Sequence, residues 1–228
     1  HATDLFIFIK ENTMTLKHVL FAGLAFMIGS AMAATEGSDY VVLEKPLPQA
    51  ENTLTKVFSY DCPFCFKYDV GVDPKVIPQV EKDLHLTFNP MHLETKAKYG
   101  RLATEFLAMC LLKDKATNVS IESPDSLFVK AKNALYQAYH KKGERWTDGE
   151  GAFLATLTSA TGISLETFRD AQKDPKVLEL CDIWKQSYDV AKIQGIPAYV
   201  VNGKYLIMTK SIRSLDQMVG LIKELQAK

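Results

Sequence analysis

Two cysteines separated by two residues, Cys62-Pro63-Phe64-Cys65, follow directly on a run of β-forming residues, Leu54-Thr55-Lys56-Val57-Phe58-Ser59-Tyr60. Pro63 suits the first turn of a helix, where its missing N–H costs nothing. The pattern therefore predicts a cysteine pair at a strand-to-helix junction. At such a junction the first sulfur meets the positive end of the helix dipole and unpaired backbone N–H groups. Both favour thiolate over thiol, which makes the sulfur a ready nucleophile and a good leaving group. The short gap lets the second sulfur reach back and resolve a mixed disulfide. On this reading Cys62 is the exposed attacking sulfur and Cys65 the buried resolving one. Two blander readings compete. Zinc wants four ligands, usually as two close pairs, whereas the other cysteines, Cys110 and Cys181, stand far apart and no His-x-x-x-His occurs. A purely structural Cys62–Cys65 bridge would close so small a loop that it adds little stability.

The compartment follows from the N-terminal region. Met14 opens a stretch with a short basic start at Lys17-His18, an apolar run from Val19 to Ile28, and small residues at Ala31-Met32-Ala33. This reads as a secretory signal over 14–33; the apolar run falls short of the roughly 20 residues a membrane span needs. Residues 1–13 are expected to be an upstream artefact outside the working protein. Export to an oxidising compartment permits disulfides, and all four cysteines lie beyond the signal. A chain of this length does not need disulfides to fold, so at least one pair is expected to do chemistry. Cys110 and Cys181 each sit on an apolar helical stripe. They read either as buried free thiols or as a structural disulfide joining two helices. The formal net charge is zero, and no basic run or phosphate-cradling glycine loop suggests nucleic acid or an anionic membrane surface.

Along the rest of the chain, Tyr40–Leu43 is a short strand candidate and Leu84–Leu93 a further one, made irregular by Pro90. From Lys96 to about Ile193 apolar residues recur at helical spacing, and Pro175 is expected to begin one long helix. β-Structure returns at Ala198–Val201 and Tyr205–Met208, on either side of Asn202-Gly203, a strong hairpin signal. A last amphipathic helix covers Ser214–Leu225. The order strand, helix, strand, helical block, hairpin, helix predicts an α/β sheet domain interrupted by a helical insertion. The expected division is 34–95, the inserted helices 96–193, and 194–228. Just before the hairpin stands Gly195-Ile196-Pro197-Ala198. An Ile-Pro bond adopts cis at modest cost, and a cis turn beside the cysteines would offer the Ile196 backbone to an extended substrate.

Three segments resemble the DsbA-like thiol oxidases of bacterial periplasms: Tyr40 to Pro46, Phe58 to Cys65, and Gly195 to Tyr205. The Cys-Pro-Phe-Cys variant resembles the DsbL branch of that family. The resemblance implies a thioredoxin-like fold with an inserted all-helical subdomain. It implies a protein thiol:disulfide oxidoreductase without cofactor, acting in the periplasm as a monomer on unfolded exported proteins with free cysteines. It also implies re-oxidation by a quinone-coupled membrane oxidase of the DsbB type, or the related DsbI. Two departures stand out. Lys56 takes the place, six positions before the first cysteine, where the family commonly carries an acidic residue, and Phe64 replaces a frequent His. A nearby cation favours the thiolate, while Asp61 acts against it. Lys56 also reads as a snorkelling surface side chain. Rival functions on the same residues are a disulfide reductase or isomerase, a peptide-binding chaperone that keeps the cysteine pair as a relic, and a thioredoxin-fold transferase.

Overall fold

The computed structural model describes residues 32–95 and 97–228. The signal expected over 14–33 lies, apart from its last two residues, outside them, as does the upstream stretch.

A five-stranded mixed sheet forms the frame, in the order β1-β5-β4-β2-β3. The strands are β1 (Tyr40–Val42), β2 (Thr53–Phe58), β3 (Thr87–His92), β4 (Ala198–Val201) and β5 (Tyr205–Ile207). β2 runs parallel to β3 and antiparallel to β4, so that Lys56 stands opposite both Pro90 and Tyr199. Pro90 does not disrupt β3, because β3 is the sheet edge and a missing donor there breaks no ladder. The β4–β5 turn uses Asn202 and Gly203 at φ 54° and 69°. Gly203 is also packed so tightly that a Cβ would stand 2.9 Å from the Ala50 methyl.

One face of the sheet is covered by α2 (Asp73–Leu84) and α9 (Leu215–Gln226), where Val76, Val80, Ile222 and Leu225 pack on Leu54, Tyr199 and Val201. The other face lies under the helices between β3 and β4. These are α3 (Gly100–Ala116), α4 (Leu127–Tyr136) with a π-helical turn at Gln137–Lys141, α5 (Glu150–Thr161), α6 (Leu165–Ala171), α7 (Pro175–Lys185) and α8 (Ser187–Gln194). Phe106, Phe128, Leu135, Phe153, Phe168 and Trp184 form their shared core, continuous with Val57, Ala198 and Val200 of the sheet. Side-chain caps start these helices: Ser126 on α4, Ser164 on α6 and Asp174 ahead of Pro175 on α7. The single helix expected from Pro175 is two, because the buried Ser187 hydroxyl donates to the Trp184 carbonyl at 2.6 Å and competes with the helical ladder.

The alternation of faces has one consequence for the site. β2 is buried along its whole length, so any polar residue on it must find a partner inside the protein.

Candidate active site

β2 ends at Phe58, and the chain turns through Ser59–Cys62, closed by the Cys62 N–H donating to the Ser59 carbonyl at 3.2 Å. Helix α1 (Pro63–Gly71) follows, with Cys62 as its N-cap and Pro63 in the first turn. The Cys65 N–H donates to Cys62 Sγ at 3.0 Å. No acidic residue occupies the first turn, so no first-turn side chain opposes the N-terminal field at Cys62. Cys62 and Cys65 are joined by a disulfide with Cα atoms 5.2 Å apart. Their exposures differ: Cys65 is fully buried, while Cys62 is partly exposed. Phe64 between them stands 61% exposed, with the Lys67 ammonium 5.7 Å from its ring.

The Ile196–Pro197 bond is cis. The Ile196 carbonyl oxygen lies 3.7 Å from Cys62 Sγ. Fold topology thus joins two segments far apart in sequence, since the end of β2 and the start of its antiparallel neighbour β4 lie side by side at the same end of the strands.

Lys56 is not at the surface. It is 2% exposed, because it points from the fully covered strand β2 toward α2. Its ammonium pairs with Asp73 Oδ2 at 2.5 Å and lies 3.5 Å from the Cys65 carbonyl oxygen. The Tyr199 hydroxyl donates to the other Asp73 oxygen at 2.5 Å. Burial pushes the Lys56 ammonium below its ordinary value, and the Asp73 carboxylate opposes that shift. A cavity of about 340 Å³ opens onto the pair, lined also by Asp69, Phe128 and Lys132. Asp61 is engaged within the turn, accepting from Ser59 Oγ at 2.6 Å and Thr95 Oγ1 at 2.8 Å.

Four residues of the site escape a sequence reading: Asp73, Tyr199 as a polar partner, His92 and His140. Asp73 looks like an ordinary first-turn carboxylate of α2. His92 ends β3 and is buried; its Nε2 accepts from the Tyr60 N–H at 3.2 Å, so its proton sits on Nδ1 and is donated to Thr104 at 2.8 Å. Burial pushes this imidazole down to about 3. His140 lies on the π-helical turn and donates from Nε2 to the Tyr60 carbonyl at 2.8 Å.

Cys110 and Cys181 are both buried and unbonded, which corrects the structural disulfide. Cys181 on α7 faces the start of α3, beside Glu94 and Thr104. Cys110 lies six residues beyond Thr104, roughly 9 Å along the helix at its normal rise.

The model of the DSBA-like thioredoxin domain matches residues 53–223, from the first residue of β2 well into α9. The chain belongs to the DSBA-like thioredoxin family. It is 53% identical over 214 residues to the thiol:disulfide interchange protein DsbL of Escherichia coli O6:H1, covering 93% of this chain and 96% of that one. It is 53% identical over 219 residues to DsbL of Lelliottia amnigena, covering 95% and 97%. Among solved structures, DsbL of Salmonella enterica serovar Typhimurium superposes with TM-score 0.82 at 55% identity, over 87% of this chain and all of that one. A crystal structure of reduced DsbL superposes with TM-score 0.81 at 55% identity, over 86% of this chain and 100% of that one. Within the DSBA-like family the chain is a protein thiol–disulfide oxidoreductase, and its α/β fold is the thioredoxin-like one with added helices.

Proposed function

We propose that the chain donates the Cys62–Cys65 disulfide to newly exported proteins in the periplasm. The observation that carries this reading is the asymmetry of the pair: a partly exposed Cys62 receiving the Cys65 N–H, and a fully buried Cys65. A substrate thiolate attacks Cys62 Sγ. The S–S bond breaks, and its electron pair leaves on Cys65 Sγ, which takes up a proton. A second substrate thiolate then attacks the substrate sulfur of the mixed disulfide and expels the Cys62 thiolate. The helix N-terminus and the Cys65 N–H stabilise that leaving group, which favours the reduced enzyme and makes a strong oxidant. The Ile196 backbone, beside Pro197 and 3.7 Å from the sulfur, is placed to pair with an extended substrate, and Phe64 offers it an apolar contact. Lys56 with Asp73 supports the back of the site.

The same reading assigns 14–33 to an export signal, 34–95 and 194–228 to the thioredoxin-like part, and 96–193 to an inserted helical subdomain. It makes the chain a monomer that a quinone-coupled membrane oxidase of the DsbB or DsbI type re-oxidises. No described helix is long and apolar enough to cross a membrane.

The test is the reduction potential of the pair, measured by equilibration with glutathione buffers, together with oxidation of a reduced unfolded protein. A potential far above the glutathione couple, with activity abolished by Cys62→Ser, supports the donor role. A potential near that of thioredoxin moves the chain to a reductase. Suppression of aggregation that survives Cys62→Ser, from a parent that oxidises no substrate, moves it to a chaperone.

A further inference from the structure

Both main-chain polar groups of Tyr60, two residues before Cys62, are held by imidazoles that come from different parts of the fold. His92 at the end of β3 accepts from the N–H at 3.2 Å, and His140 on the π-helical turn donates to the carbonyl at 2.8 Å. The Tyr60 ring is fixed as well, stacked on His92 and packed edge-on against Tyr139 and Trp146. His140 makes a second contact on the far side of the disulfide. Its ring lies parallel to that of Phe66, with centroids 5.1 Å apart and planes at 8°. Phe66 directly follows Cys65. One side chain therefore touches the chain just before the first cysteine and just after the second. The turn that carries it is π-helical, a local widening that occurs often at functional sites because it re-aims a side chain within a helix.

We propose that His140 is a positioning residue for Cys62, fixing the Tyr60–Asp61 peptide ahead of the sulfur and the Phe66 ring behind it. Opening the disulfide removes the one covalent tie across the start of α1. With the Tyr60 carbonyl still held, the turn keeps Cys62 Sγ at the helix N-terminus and on the Cys65 N–H, where its thiolate is stabilised. His92 does the same for the N–H from inside the core. The charged groups facing His140 are Asp61 on the turn, and Arg145 and Lys141 beside its own turn. The hydrogen bond to Tyr60 needs only a proton on Nε2, which either charge state of the ring can supply. The inference rests on Cys62 being the attacking sulfur.

The experiment compares the full-length exported protein with His140→Gln and His140→Leu. The readouts are the equilibrium constant with glutathione and the thiolate absorbance of reduced Cys62 against pH. A glutamine amide can donate to the Tyr60 carbonyl, whereas leucine cannot. The leucine variant is expected to lose about fivefold in the equilibrium constant, the effect of one hydrogen bond, with the Cys62 thiolate titrating at higher pH. The glutamine variant stays within about twofold of the parent. A leucine variant equal to the parent overturns the proposal, as does a folded glutamine variant impaired as much as leucine. Should the leucine variant not fold, imidazole ¹⁵N spectra of the unaltered protein decide. The His140 signal must report a ring protonated on Nε2 and hydrogen-bonded in both the oxidised and the reduced protein, and loss of that bond on reduction overturns the proposal. Failure of the unaltered protein to oxidise any substrate would instead overturn the donor reading of Cys62.

Discussion

The Lys56 ammonium and the Asp73 carboxylate form a buried ion pair, 2.5 Å apart, beneath the Cys65 carbonyl. Both side chains are nearly closed off from solvent, apart from the cavity that opens onto them. Lys56 hangs from a strand covered on both faces, and Asp73 takes its other hydrogen bond from Tyr199. Removing one partner leaves an uncompensated buried charge, at a cost of about 3–5 kcal/mol. Lys56→Met is therefore expected to lose about that much in urea unfolding, and Lys56→Met combined with Asp73→Asn to regain most of it. A single variant as stable as the parent would show that the pair contributes nothing to the fold.

His92 makes stability pH-dependent. Its folded imidazole titrates at about 3, below the ordinary 6.5, because it is buried. The unfolded chain thus takes up a proton that the folded chain refuses. The contribution of His92 is fully present above about pH 6.5 and declines as pH falls toward 3, by about 1.4 kcal/mol per pH unit. Between pH 7 and pH 4, His92→Gln should flatten the fall in unfolding free energy by about 3 kcal/mol. Equal slopes for parent and variant would refute this.

Two free thiols are expected in the oxidised protein, and neither is reachable in the fold. Burial pushes the Cys181 thiol up to about 11 and the Cys110 thiol higher still. A thiol reagent at neutral pH should label none in the native state and two in guanidinium without reductant. Finding no thiols in guanidinium would restore the Cys110–Cys181 bridge.

Asp114 near the end of α3 holds the start of α4. Its carboxylate accepts from Ser126 Oγ and from the Leu127 and Phe128 N–H groups, at 2.6, 2.9 and 3.1 Å, and it is 1% exposed. Asp114→Ala strips these donors of their partner at once. A loss of about 2–3 kcal/mol is expected in thermal unfolding. A change below about 0.5 kcal/mol would mean that other groups satisfy the helix start.

Some of this protein was legible from residues alone, and the reason is that the deciding interactions there are local. Cys62-Pro63-Phe64-Cys65 after a β-forming run states a strand-to-helix junction, since N1 proline and the first-turn field act within a few residues. Asn202-Gly203 states a hairpin for the same reason. The helical period over 96–193 separates the sheet segments into two groups. What the sequence left open depended on partners brought from a distance. Lys56 reads equally as a surface side chain or a buried one until β4, β3 and α2 enclose β2, and only then does Asp73 become its partner. Pro175 promises one helix, and the burial of Ser187 against the Trp184 carbonyl ends it early. Cys110 and Cys181 share apolar stripes that suggest a bridge, but in the fold both are buried free thiols. His92 and His140 carry no motif at all. Their roles at Tyr60 exist only because a parallel strand end and a π-helical turn meet the active-site loop from two sides, a meeting set by tertiary packing and invisible to any local pattern.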